Sequence, residues 1–155
     1  NKNEKDKSIR ALEKLLDKSV LNKLRNEKYQ DIKSSKNILG DSAEVETVVL
    51  NLLTNAIRHT PLDGNVTLIW ENVDNRFGKL SVIDTGVGIK AEHIPRLTER
   101  FFRVDTGRSR EQGGTGLGLA IVKYALERHD AKLDIQSDLN QGSKFICYFP
   151  RHRLE

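Results

Sequence analysis

The string GGTGLGLAIVK, residues 113–123, spaces Gly114, Gly116 and Gly118 two residues apart ahead of an apolar helical run. Backbone N–H groups at such glycines can lie against phosphate oxygens, and the N-terminus of the following helix adds favourable partial charge. A second motif, Asp84-x-Gly86-x-Gly88, puts a carboxylate at the end of an alternating run. Asp84 can there accept a hydrogen bond from an exocyclic amine such as adenine's, while Gly86 and Gly88 let the chain turn closely around a ring. Either motif alone is an ordinary glycine-rich turn; together they describe a pocket with a phosphate end and a base end. No G-x-x-x-x-G-K-[ST] string occurs, which removes the P-loop enzymes. GVGIKA, residues 86–91, fits the dinucleotide fingerprint G-x-G-x-x-A. Pro95, however, cuts short the long helix that fingerprint needs, and the preceding strand reads as one arm of a hairpin.

A third group lies upstream. At about 100° per residue, Asn55 falls about 40° from Asn51, Arg58 about 20° to the other side and His59 about 80° away, so all four share one helix face. An amide oxygen can enter an octahedral Mg²⁺ shell completed by phosphates and water. Arg58 can meet a phosphate, and His59 can stack on a base. Two asparagines on a helix are often simply exposed; the arginine, the histidine and the two glycine motifs give these a use. Val45, Val49, Leu52 and Ala56 centre on a neighbouring face, expected to pack on a sheet.

These residues need a helix from Asp41 to His59, started by a capping-box-like Asp41/Glu44 pair and stopped before Pro61. An amphipathic helix is expected over about residues 8–24, after a disordered polar stretch at 1–7. EKYQDIKS and NILGD read as short strands. NVTLIWE and GKLSVID alternate as strands of an antiparallel pair, and KLDIQS and SKFICYF flank the turn DLNQG. A short helix is expected near Glu92 and a longer one within GLGLAIVKYALERH. The domain runs from 8 to 150, with 151–155 set aside as a tail. The interleaving implies an α/β fold: a two-layer sandwich with a mixed sheet covered on one face by helices.

The chain has 155 residues, 31% charged and 37% hydrophobic, which suits one soluble globular domain; no run approaches the roughly 18 apolar residues of a membrane span. The net charge of +4 suits an anionic ligand, but much of the basic excess lies in the first 36 residues, where a solvated surface explains it, and no nucleic-acid partner is expected. The single cysteine, Cys147, sits in an alternating strand and excludes a disulfide framework.

NLLTNAIRHTP (51–61), DTGVGI (84–89), LTERFFRVD (97–105) and GGTGLGLAIVK (113–123) resemble, in order and spacing, the N, G1, F and G2 boxes of the catalytic, ATP-binding domain of bacterial sensor histidine kinases. HIPRLTERFFRVD is similar to the phosphate-regulon branch of that family, which implies a phosphate-starvation response. The resemblance implies the Bergerat fold, shared with gyrase, Hsp90 and MutL, with about five strands, three main helices and a mobile ATP lid at about 98–115. The cofactors would be ATP and Mg²⁺. Asn55 would be the leading metal ligand, with Asn51 on the phosphates or the metal's water. Arg58, with Arg103 and Arg108 from the lid, would meet phosphates, and His59 would face adenine. Asp84 would read the adenine amine with a water helped by Ser143. Gly86, Gly88 and Ile89 would line the base, and Gly114, Thr115, Gly116, Leu117 and Gly118 the phosphates. Phe101 and Phe102 would anchor the lid by apolar contact, while Arg100 and Arg110 would face a partner domain.

Relatives that hydrolyse ATP carry a glutamate base at the first N-box position. Asn51 cannot serve as one, which disfavours an ATPase of the wider superfamily; a nucleotide-dependent regulatory switch is the other alternative. The four histidines, His59, His93, His129 and His152, lie in no segment like H-E-L-R-T-P, so no phosphoacceptor is expected here. The resemblance thus implies a monomeric domain of a homodimeric inner-membrane sensor, facing the cytoplasm. Its partners would be the parent's dimerisation and phosphoacceptor domain and, through the full-length kinase, a response regulator.

Overall fold

The structure, a computed structural model, describes residues 37–104 and 114–155. The elements are α1 (Ser42–His59), β1 (Val66–Val73), β2 (Phe77–Asp84), a 3-10 turn (Ile94–Arg96), α2 (Gly118–Arg128), β3 (Lys132–Ser137), β4 (Ser143–Pro150) and a second 3-10 turn (Arg151–Arg153). The expected helix at 8–24 and the strand at 27–34 lie outside the described residues. So do residues 105–113 of the lid, with Arg108 and Arg110.

The sheet order is β1-β2-β4-β3, with every neighbouring pair antiparallel. The expected mixed sheet of about five strands is corrected to four antiparallel strands among the described residues; two of the three expected main helices are seen, and the third falls outside those residues. Two hairpins account for the direction. β1 and β2 are joined by a tight turn with Asp74 and Asn75 both at positive φ, and β3 and β4 by the turn at 138–142. The crossing through α2 leads into β3, and the β3–β4 hairpin then lays β4 between β3 and β2, antiparallel to both. NILGD contributes only an isolated bridge, Ile38 to Leu154.

Alternation along the strands puts Leu80 and Val82 of β2 and Phe145, Cys147 and Phe149 of β4 into one core with Leu52, Leu53 and Ala56 of α1 and Val122 and Leu126 of α2. Burial pushes the Cys147 thiol up to about 12, so it packs as an inert apolar group. The buried stripe of α1 is wider than the sequence face: Val48, Leu53 and Ile57 are also buried, while Val45 and Val49 are only half-buried. The reason is that α1 packs on both the sheet and α2, whereas a single-sided amphipathic helix needs one stripe.

Candidate nucleotide site

The last two turns of α1, the loop after β2 and the start of α2 converge at one end of the sheet. Asp41 caps α1, its carboxylate accepting the Glu44 amide proton at 3.0 Å. Glu44 does not complete a capping box; it pairs with Arg128 of α2 at 2.6 Å. The helix so fixed carries Asn51, Asn55 and Arg58 half-buried and His59 more open to solvent. Asn51 donates its amide N–H to Thr47 O at 2.8 Å, which leaves its oxygen for other partners.

That oxygen abuts the glycine cradle. A Cβ at Gly118 would come within 2.8 Å of Asn51 Oδ1, and one at Gly114 within 3.0 Å of an Arg58 guanidinium nitrogen and 3.4 Å of an Arg103 nitrogen. An amide oxygen, two guanidinium groups and a helix N-terminus with no side-chain cap thus border the Gly114–Gly118 stretch, where a side chain at either glycine would crowd them. This donor set suits a triphosphate. Among the described residues no group of three or more His, Cys, Asp or Glu could hold a metal; a hard cation would rest on the Asn51 and Asn55 oxygens and on the phosphates. The ring of His59 has its pKa lowered by desolvation and then by Arg58, so it is neutral at pH 7.

The loop after β2 carries the residues expected at the base end. Asp84 is 5% exposed and its Oδ1 accepts the Gly86 amide proton at 2.8 Å. Burial raises its pKa, and the N–H groups of Gly86 and Ser143 partly offset that. Ser143 stands opposite Asp84 in the β2–β4 pair. Val87 donates to His59 O at 3.3 Å and accepts from the Asn140 amide at 2.7 Å, fastening the loop to α1 and to the β3–β4 turn. Ile89 donates its amide proton to Ser137 Oγ at 2.8 Å. Sequence reasoning passed over Ser137. The signal for it is a polar residue on the inward side of KLDIQS, in line with Leu133 and Ile135.

Thr115, Gly116 and Leu117 run into α2. Phe101, held at φ 64, donates its amide proton to Gly116 O at 2.8 Å. Its ring is 71% exposed, so its anchoring contact is made by the backbone rather than by apolar packing. Phe102 instead packs under the Arg96 guanidinium, 4.4 Å from the ring centroid. A separate cleft of about 510 Å³ lies between α2, β3 and the segment around Ile94 and Thr98; none of the expected site residues lines it.

With this geometry, similarity to known proteins becomes decisive. Residues 40–153 match the family described as histidine kinase-, DNA gyrase B- and HSP90-like ATPases. The chain belongs to this family. It is 44% identical over 134 residues to the phosphate regulon sensor protein PhoR of Pseudomonas aeruginosa, covering 86% of this chain and 30% of that protein. It is 37% identical over 122 residues to the sensor-like histidine kinase SenX3 of Mycolicibacterium smegmatis, covering 79% and 32%. The solved mycobacterial sensor histidine kinase MprB matches at TM-score 0.77 and 29% identity over 91% of each chain. Full-length ShkA in complex with AMPPNP matches at TM-score 0.66 and 28% identity, over 79% of this chain and 24% of that one. The chain is therefore a histidine kinase catalytic domain of the ATP-binding type, and it spans less than a third of the curated sensor proteins named here. No helix among the described residues is long and apolar enough to cross a membrane.

Proposed function

We propose that this domain binds Mg-ATP and delivers the γ-phosphoryl group to a histidine on a separate dimerisation domain, as the donor half of a two-component sensor in the phosphate-starvation response. The observation that carries the reading is the meeting of Asn51, Arg58 and Arg103 with the Gly114–Gly118 cradle. Likeness to the PhoR sensor supports the phosphate-regulon branch, and the parent would hold this domain on the cytoplasmic side of the inner membrane. Its response regulator would be met through the full-length kinase.

In this reading Asp84 accepts a hydrogen bond from the adenine amine while Gly86, Gly88 and Ile89 pass close to the ring, with neutral His59 at the same face. Arg58 and Arg103, joined by Arg108, neutralise phosphate oxygens. Asn55, with Asn51 on the phosphates or the metal's water, would hold Mg²⁺, which would supply further charge stabilisation. Phosphoryl transfer needs mainly positioning and charge, and these residues supply both. Asn51 has no basic atom with which to activate water. Slow phosphate release in the absence of an acceptor is the consequence.

Titration of Mg-ATP into wild type and Asn55→Asp tests the site. The variant sets a carboxylate against the triphosphate and is expected to lose affinity by at least about tenfold. Radiolabelled ATP should then mark the histidine of an added acceptor-hairpin fragment with wild type only. Wild type that binds no nucleotide would sink the reading, and equal affinities would remove Asn55 from it.

A further inference from the structure

Ser137 ends β3 on its inward side, opposite Ser143, which itself stands opposite Asp84. Its Oγ makes three polar contacts: the Ile89 N–H at 2.8 Å, the Gly142 carbonyl at 2.8 Å and Ser143 Oγ at 2.9 Å. A hydroxyl has one proton and two lone pairs. The Gly142 carbonyl can only accept and the Ile89 amide can only donate. The Ser137 proton therefore goes to Gly142, and one lone pair goes to Ile89. What is left at Ser137 is a single lone pair, so Ser143 is the donor in the third contact. Any other assignment sets lone pairs against each other at hydrogen-bond distance.

The consequence lies at the base end of the pocket. With its proton committed to Ser137, the Ser143 hydroxyl offers only lone pairs to anything else, beside a carboxylate whose oxygens also accept. We propose that Ser137 is a positioning residue for base recognition. By fixing the Ser143 proton and the Ile89 amide, it keeps the Asp84 end acceptor-only and so selects a 6-amino purine over a 6-oxo purine. Without Ser137, the Ser143 hydroxyl can rotate and donate to a 6-oxo group. This deepens the nucleotide reading above and rests on it.

The test is the ratio of dissociation constants for ITP and ATP, whose bases differ in the 6-oxo and 6-amino groups, measured by calorimetry on the whole chain. Wild type should prefer ATP by tenfold or more, about the worth of one hydrogen bond to a charged group. Ser137→Ala should lower that ratio by about tenfold, with Ser137→Thr, which keeps the hydroxyl, near the wild-type ratio. If the alanine variant does not fold, Ser137→Cys fills a similar volume with a weak donor and acceptor and should lower the ratio in the same direction. Equal weakening of both nucleotides in the alanine and cysteine variants would mean a merely structural role and overturn the proposal. A wild type that binds both nucleotides equally would overturn it while leaving the nucleotide site standing. A wild type that binds neither would overturn both.

Discussion

The carboxyl group of Asp84 lies 5% exposed at the end of β2, with the Gly86 amide 2.8 Å from Oδ1. Burial raises its pKa above the ordinary 3.8, and the N–H groups of Gly86 and Ser143 recover only part of that. A carboxyl raised in the folded state binds protons there that the unfolded chain has released. Stability therefore falls as pH rises from the ordinary value through the raised one. Asp84→Asn keeps the shape and an acceptor oxygen but removes the charge. The nucleotide-free variant should melt above wild type at neutral pH, with the gap closing as the pH falls towards 3.8. Its ATP affinity should drop, because the replacement amide can turn a donor towards the base amine. A variant that melts lower than wild type at neutral pH would mean that the backbone hydrogen bonds outweigh burial. Asp84 stood out in the sequence as a candidate because glycines and a strand end frame it. Ser137 did not, because its contacts depend on a hairpin partner and on the Ile89 loop folding onto it.

At the scale of elements, α1 is held by more than its own cap. Asp41 caps it with a side-chain oxygen, while the Asp41 amide donates to His129 Nε2 at 3.1 Å. The other ring nitrogen of His129 donates to Ala125 O at 2.7 Å, which fixes the tautomer and joins the C-terminal end of α2 to the N-terminal end of α1. The sequence showed the Asp41/Glu44 pair but not where Glu44 would go, since Arg128 is its neighbour only through the packing of α2. These two contacts should differ in weight. His129 is 3% exposed, and His129→Ala leaves a cavity and two unpaired backbone groups, costing about 3 kcal/mol. Glu44→Ala breaks an ion pair with an open arginine and should change stability little. Urea unfolding of the two variants reads the contrast, and a larger loss at Glu44 would show that the ion pair, not the buried ring, joins the helices.

Across the whole molecule, the proposed nucleotide site and the C-terminal anchor occupy opposite ends of one sheet. Asp84 pairs with Ser143 at the site end, and Phe77 with Pro150 at the other, about 23 Å away at about 3.3 Å per residue. Residues 151–155 were set aside in the sequence as a C-terminal tail. Arg151–Arg153 make a 3-10 turn, and Leu154 bridges Ile38 and packs against the core. Main-chain bonds join Leu39 N–H to Arg153 O at 2.7 Å and Asn37 to Glu155 in both directions at 3.0 Å. A single leucine among charged residues gave no periodic signal, so this pairing, like the sheet's all-antiparallel direction, could be read only from tertiary contacts. Deleting residues 151–155 removes the Leu154 contact, worth up to about 1.5–3 kcal/mol, and those hydrogen bonds. The melting temperature should fall. Because Asn51, Asn55, Arg58, Asp84 and the glycine cradle lie at the far end, the intrinsic ATP affinity should stay within about twofold, well under the 1.4 kcal/mol of a tenfold change. Saturating Mg-ATP should then raise the melting temperature of the truncated and complete chains alike, since ligand linkage depends on affinity and not on starting stability. A truncated chain that folds but binds ATP tenfold more weakly would show that the two ends of the sheet are coupled.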